Sequence, residues 1–335
     1  LKKQSGLNEE KTKAIDLALS QIEKRFGKGA VLDMKEVSRT NVEVIPTGCL
    51  GLDAALGIGG LPKGRIIEFF GENMSSKSTL ALKAMGVAQK LGGKVALLDI
   101  ENAFDAKWAA KLGVDVDSLI VSQSNCGEEA LEIAEVLIRS NSIDIIVIDS
   151  VAALVPKAEI EGEMTDSQVA LQARMMSKAL RKITGAVNQS RCIVIFINQL
   201  RDSIGKFFGN PNVTPGGRAL KFYSSIRIEI RKIGMIKEGD AIVGQHVKAK
   251  VVKNKLGAPY KEAEYDLLFE TGIDDVGNLV DLATEASIIE KGGSWYSYGD
   301  IKIGQGKSNA TDYLRNDEKV SKEVETKVKE WLGLK

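Results

Sequence analysis

The chain has 335 residues, 44% apolar and 27% charged, which suits a globular protein of about two domains and excludes a disordered, collagenous or disulfide-stapled one. Its 46 basic and 45 acidic residues leave a net charge of +1, so any nucleic-acid surface has to be a local patch. One histidine, His246, and three scattered cysteines, Cys49, Cys126 and Cys192, argue against zinc sites and histidine-based triads and fit a reducing, cytoplasmic setting.

The chain opens with Leu1 and stays charged to Lys13, so no signal core is expected, and its numbering is expected to begin inside a longer natural chain. Residues 8–26 read as a helix, with Ile15, Ala18, Leu19, Ile22 and Phe26 at helical spacing and Gly27 as a stop. The glycine-punctuated stretch 48–64 leads into a strong strand at 65–70. Strands at 95–100, 118–122, 143–148 and 192–198 then alternate with helices at 78–91, 105–112, 127–140 and 167–186. Near-continuous apolar strands such as Ile145-Ile146-Val147-Ile148 suit a sheet buried on both faces, and the alternation predicts a largely parallel α/β sheet. Residues 225–231 and 246–252 alternate apolar with polar, as half-exposed strands of an antiparallel extension would. A smaller unit is expected from about Gly272, with helices at 275–286 and 317–331 and an aromatic segment, Trp295-Tyr296-Ser297-Tyr298. No apolar run reaches 18 residues, so neither a membrane span nor a membrane partner is expected.

The segment Gly71-Glu72-Asn73-Met74-Ser75-Ser76-Lys77-Ser78 follows a strand and opens a helix, the setting of a phosphate-binding loop. The usual pattern is G-x-x-x-x-G-K-[ST]; here Ser76 stands in place of the second glycine. An ordinary strand–turn–helix with a surface lysine fits the motif taken alone. If Ser76 has positive φ, the loop carries strain of ~1–3 kcal/mol. Asp149 ends the apolar strand at 145–148, where a carboxylate can hold Mg²⁺ or cap a helix. Glu101 follows Leu98-Asp99-Ile100 and could polarise an attacking water or be a surface carboxylate. The joint signal is stronger than its parts, because three strand ends would bring Lys77, Asp149 and Glu101 to one crevice.

With those pieces in order, the chain resembles the bacterial RecA recombinase family, from Ile15 to Leu332. The resemblance rests on Gln21 to Gly29, Thr47 to Asp53, Gly59 to Arg65, Lys157 to Glu163, Phe196 to Arg201, Gly216 to Tyr223, Lys253-Asn254-Lys255 and Trp295 to Tyr298. It implies a RecA-type P-loop ATPase core with a mostly parallel central sheet at 39–271. An N-terminal helix–strand polymerisation segment would occupy 1–38 and a small α/β C-terminal domain 272–335. It implies ATP and Mg²⁺ as cofactors. The cofactor-binding residues would be Gly71, Asn73, Met74, Ser75, Ser76, Lys77, Ser78, Thr79, Asp105, Trp108 and Asp149, with Ser78 and Asp149 at the metal. Glu101 would activate water, Gln199 would sense the γ-phosphate, and Lys253 and Lys255 would reach the neighbouring protomer's ATP. Trp108 would stack on adenine. The partners implied are single-stranded DNA, double-stranded DNA, further copies of the chain in a helical filament, and repressor and loader proteins.

The DNA-binding residues implied are Val169, Arg174, Ser177, Lys178, Arg181, Arg201, Ile204, Phe207, Gly216 and Gly217. Arg174, Lys178 and Arg181 share a helical face, as phosphate contacts or a solvated face would. The second loop, 201–217, holds Ile204, Lys206, Phe207, Phe208 and four glycines, which suits wedging and backbone contact with bases and phosphates, or a mobile surface loop. Ser76, Glu72 and Asn73 depart from the family pattern, and the family's acidic tail does not appear before Lys335, as either truncation or genuine absence would give. Related phage recombinases also depart at the Ser76 position, so a divergent or phage-encoded member is compatible with activity. Two further readings remain: an ATP- and DNA-binding filament with little hydrolysis, favoured by Ser76, and a ring helicase, disfavoured by Lys253, Lys255 and the C-terminal unit.

Overall fold

The computed structural model describes residues 2–27, 31, 42–163, 170–202 and 212–334. Of the DNA-contact candidates, Val169, Ile204 and Phe207 lie outside these residues, as do Lys206 and Phe208. The chain divides into two compact units, Leu1–Glu43 and Val44–Lys335. In the first, α1 (Lys2–Phe26) starts six residues before the expected position 8 and stops at Gly27, whose φ of 92° suits only glycine.

The second unit opens with β1 (Val44–Ile45), α2 (Leu50–Leu56) and β2 (Leu61–Pro62). The glycine-punctuated stretch 48–64 thus contains a helix and a short strand. Leu52 and Leu56 are fully buried on one helix face, and Gly57, at φ 72°, ends the helix. Alternating elements follow: β3 (Ile66–Gly71), α3 (Lys77–Lys90), β4 (Val95–Asp99), α4 (Ala106–Lys111), β5 (Ile120–Ser122), α5 (Gly127–Arg139), β6 (Ile145–Asp149), α6 (Lys157–Glu161), α7 (Leu171–Ser190) and β7 (Ile193–Gln199). Next come β8 (Arg201–Asp202), β9 (Asn212–Val213), α8 (Ala219–Tyr223), β10 (Ile226–Glu238), β11 (Ala241–Asn254), β12 (Glu262–Leu268) and β13 (Gly272–Ile273).

Among the described residues the central sheet has nine strands in the order β13-β12-β11-β10-β3-β7-β6-β4-β5. The strands from β10 to β5 are parallel neighbours, and β11, β12 and β13 extend the sheet antiparallel. The expected α/β sheet with its antiparallel extension is what forms. Its apolar strands split by parity between two cores. Ile145, Val147, Ile193, Ile195 and Ile197 pack on the face with α2 and α3, whereas Ile146, Ile148, Val194 and Phe196 pack on the face with α5 and α7. Two-sided burial is what makes these strands unbroken apolar runs.

Two further boundaries depart from expectation by more than three residues. Helix α7 continues past the expected end at 186 to Ser190, because its buried stripe of Met176, Leu180, Ile183 and Val187 reaches the C-terminal turn; the expected start at 167 lies outside the described residues. The hairpin β10–β11 is far longer than 225–231 and 246–252, pairing out to Glu238 and Ala241. Only Ile226 to Glu229 of β10 pair with β3. The rest of the hairpin overhangs the C-terminal end of β3.

The C-terminal part contains α9 (Asp275–Glu285), a three-stranded antiparallel sheet of β14 (Glu290–Gly292), β15 (Trp295–Tyr298) and β16 (Ile301–Gln305), then α10 (Lys307–Asn316) and α11 (Glu318–Trp331). The aromatic segment is thus a strand. Tyr296 joins Val280, Ile289, Leu314, Val324 and Val328 in a separate core, while Trp295 is 43% exposed with the Lys302 ammonium 5.2 Å from its ring. Among the described residues no helix is long and apolar enough to cross a membrane.

Candidate functional site

β3 ends at Gly71, where a side chain would strike the Ile230 carbonyl and the Ser75 hydroxyl, so only glycine lets the chain turn there. Glu72, Asn73 and Met74 are exposed, and Ser75 is buried. Met74 (φ 57°) and Ser76 (φ 73°) are both left-handed, a conformation that costs an L-residue roughly 1–2 kcal/mol. The condition set for strain at Ser76, a positive φ, is met. A residue that sequence reasoning missed holds this segment: the Gln245 side-chain amide donates to Ser76 Oγ and, at 3.4 Å, to the Met74 carbonyl.

Helix α3 begins at Lys77. Its ammonium donates to the Glu72 carbonyl at 2.5 Å and to Ser75 Oγ at 3.4 Å. Burial lowers its pKa, against the pull of Asp149, Glu101 and Glu72. Ser78 Oγ donates to Asp149 Oδ2 at 2.5 Å. Burial pushes the Asp149 carboxyl up to about 6; the Ser78 bond and Lys77 oppose the rise, and Glu101 and Asp99 add to it.

Asp99 and Asp149 are register partners on β4 and β6. Asp99 accepts from the Ala103 and Phe104 amides, both at 3.1 Å, and from Gln123 Nε2 at 3.1 Å, which shapes the turn carrying Glu101. Glu101 Oε1 accepts from Gln199 Nε2 at 2.8 Å and from Ser150 Oγ. Lys77, Ser78, Asp149, Glu101 and Gln199 therefore meet at the C-terminal ends of four adjacent parallel strands. Asp105 caps α4, its Oδ1 accepting from the Lys107 and Trp108 amides at 2.8 and 3.1 Å. Trp108 is half-buried, and its Nε1 donates to Thr79 Oγ1 at 3.4 Å, which ties α4 to α3.

Lys253 and Lys255 bond elsewhere within this chain. Lys253 Nζ donates to the Lys221 and Phe222 carbonyls at 2.6 and 3.3 Å, and Lys255 Nζ to Phe222 at 3.3 Å, at the end of α8. Burial lowers the Lys253 pKa, and the charges of Lys255 and Arg227 lower it further. Beside them lies a second group the sequence reading passed over. Glu68, fully buried in β3, accepts from Arg227 Nε at 2.5 Å and Asn198 Nδ2 at 3.0 Å. Asn198 also donates to the Pro215 carbonyl at 3.2 Å and accepts from the Gln199 amide at 3.0 Å.

Arg174, Lys178 and Arg181 are exposed on α7. Arg174 and Lys178 line a groove that also holds Glu128, Glu132 and Glu135 of α5, so part of this cationic face is offset by acids. Ser177 Oγ donates back to the Ala173 carbonyl at 2.8 Å, and Arg181 Nε to the Ser177 carbonyl at 3.1 Å. Arg201 opens β8, paired with Val213. Gly216 (φ 82°) and Gly217 (φ 75°) follow, and the Gly216 amide donates to Gln172 Oε1 at 3.1 Å. Gln172, also missed, further donates to the Val151 and Leu154 carbonyls at 2.9 and 3.1 Å, joining α7 to the turn after β6. Burial pushes the Cys49 and Cys192 thiols up to about 12, which leaves them unreactive fillers.

Residues 13–274 match the family of the RecA N-terminal domain, and residues 277–333 that of the RecA C-terminal domain. Protein RecA of Clostridium acetobutylicum is 56% identical over 328 residues, spanning 98% of this chain and 94% of the relative. Protein RecA of Symbiobacterium thermophilum is 57% identical over 332 residues, spanning 98% and 95%. Protein RecA of Caldanaerobacter subterraneus subsp. tengcongensis is 57% identical over 325 residues, spanning 97% and 95%.

Proposed function

The chain belongs to the RecA family, and on that premise we propose that it is a cytoplasmic, DNA-dependent ATPase that polymerises on single-stranded DNA, pairs it with homologous duplex and exchanges strands. The observation that carries this reading is the meeting of Lys77, Ser78, Asp149, Glu101 and Gln199 at one crevice.

The donor set fits ATP with Mg²⁺. A hydroxyl and a carboxylate oxygen 2.5 Å apart, on Ser78 and Asp149, are hard ligands of the kind Mg²⁺ takes. The helix start from Ser76 to Thr79, with the partly buried Lys77 ammonium, suits a triphosphate, as do Gly71, Asn73, Met74 and Ser75 before it. Bound there, ATP supplies the phosphoanhydride to be cleaved. Glu101 takes up the proton of an attacking water, and its hydrogen bonds from Ser150 and Gln199 set the direction of its carboxylate. Trp108 offers an aromatic face for adenine and Asp105 an acceptor for its amino group.

Gln199 recognises the γ-phosphate in this reading. It lies two residues before Arg201, where the segment 201–217 begins, so what Gln199 contacts bears on the start of that segment. Arg174, Ser177, Lys178, Arg181, Arg201, Gly216 and Gly217 contact the DNA backbone, with Val169, Ile204 and Phe207. Residues 1–38 mediate polymerisation, 39–271 form the ATPase core, and 272–335 form the C-terminal domain. Lys253 and Lys255 exchange their carbonyl partners on α8 for the next protomer's ATP, so assembly completes the site. Repressor and loader proteins are further partners.

Steady-state ATPase with and without single-stranded DNA tests the reading, together with electron microscopy in a non-hydrolysable ATP analogue. Stimulated turnover and open helices are expected, and Lys77→Ala abolishes both. Closed rings, or unaltered strand exchange by Lys77→Ala, refute the assignment. The left-handed Ser76 favours one variant of this reading, a filament that binds ATP and DNA but scarcely hydrolyses. Background turnover with and without DNA, alongside normal filaments, selects it.

A further inference from the structure

We propose that Gln245 is a positioning residue for the phosphate loop, acting through Ser76, and that the Ser76–Gln245 pair does the work of the glycine this loop pattern usually carries. The inference rests on the nucleotide-binding reading above. Its starting point is register. Strand β10 pairs with β3 only through Glu229↔Phe70, then continues to Glu238. Strand β11 returns antiparallel, with Ala249 opposite Ile230 and Gln245 opposite Met235. Ile230 lies level with Gly71, since its carbonyl abuts that glycine. Gln245 is therefore carried beyond the end of β3, to the phosphate loop itself.

Side-chain parity turns it inward. Val247, Ala249 and Val251 are all fully buried, and Gln245, on the same face, is 5% exposed. An amide there must find partners within the protein. The partners it finds are the oxygens of the two left-handed residues of the loop, the Met74 carbonyl and the Ser76 hydroxyl. A glycine at position 76 would relax into the left-handed region unaided but would offer no side chain to hold. Serine strains the backbone and supplies an oxygen, and Gln245 uses that oxygen to fix the residue from which α3 and its phosphate-facing amides begin.

A glutamine that merely satisfied itself in the core would affect stability regardless of the residue at 76. A positioning glutamine depends on the serine. The test titrates a fluorescent, non-hydrolysable ATP analogue with Mg²⁺ into the full chain and into Gln245→Met, Ser76→Gly and the double variant, with thermal melts and steady-state ATPase alongside. Methionine keeps the volume and drops the donor; Gln245→Leu serves as a second variant should methionine disturb folding. In the Ser76 background, loss of the donor is expected to weaken analogue binding about three- to tenfold, the worth of one hydrogen bond, and to raise the KM for ATP more than it lowers kcat. In the Ser76→Gly background the same change is expected to shift binding less than about twofold. Equal losses in both backgrounds, or a lower melting temperature with unchanged binding, overturn the proposal. A parent chain that binds no analogue refutes the nucleotide reading and this inference together, which the first titration separates from a failure of coupling alone.

Discussion

Glu68 places a carboxylate at the centre of β3 with no solvent contact, balanced by Arg227 Nε at 2.5 Å and Asn198 Nδ2 at 3.0 Å. Arg227 is itself only 14% exposed and stacks on Phe70 with its guanidinium carbon 4.4 Å from the ring centre. Glu68→Gln keeps the shape but replaces one acceptor with a donor and strips the guanidinium of its counter-ion. Removing one member of a buried pair costs about 3–5 kcal/mol, against a total stability of roughly 5–15 kcal/mol. With a urea slope of about 3 kcal/mol/M, the unfolding midpoint should fall by about 1–1.7 M at unchanged slope. Glu68→Gln/Arg227→Met removes both charges and should recover much of that loss, because the cost lies in the unpaired charge. Urea titrations of the four proteins measure the coupling. A single-variant loss under about 1 kcal/mol, or a double variant as poor as the summed singles, refutes the argument. A second consequence is local. Asn198 loses an acceptor and holds Pro215 and the Gln199 amide less firmly, so affinity for single-stranded DNA should fall with stability.

Gly71→Ala would drive a methyl group into the Ile230 carbonyl; nucleotide titration should show at least about a tenfold loss, the equivalent of roughly 1.4 kcal/mol, and unchanged binding refutes the close packing. Burial pushes the Asp53 carboxyl from its ordinary 3.8 up to about 7, with the Thr47 amide and Lys329 opposing. The folded state therefore holds this proton more tightly than the unfolded chain, so the group's contribution is fully present below about pH 4 and is lost as pH rises toward 7. Asp53→Asn cannot ionise, and its stability should gain on the parent's between pH 5 and pH 8 by at most about 2.7 kcal/mol, read as a rise in relative melting temperature; parallel curves refute it. Arg174→Ala should weaken single-stranded DNA binding and lower its salt slope by roughly 0.7, the share of one phosphate contact; an unchanged slope assigns Arg174 to the acidic groove with Glu128 and Glu132.

The parallel strands were legible in the sequence because burial on both faces leaves no polar alternation to misread, and the apolar run from Ile145 to Ile148 ends where the site begins. Helix α2 was hidden because Gly48, Gly51 and Gly57 flank and interrupt it, yet Gly57 is its left-handed stop. The residues that hold the crevice in place were hidden for a different reason. Glu68 and Gln245 each interrupt a buried pattern, an acid within Ile66 to Phe70 and an amide in register with Val247, Ala249 and Val251. Those interruptions were available as signals of an internal partner. The partners themselves, Arg227 and Ser76, lie 159 and 169 residues away, and only strand register decides which polar groups meet across such separations. A polar residue at an inward position of an otherwise apolar strand is thus evidence of a contact whose identity only the paired sheet supplies. Here both such contacts bear on the same crevice, one steadying the loop before Lys77 and the other the residue beside Gln199.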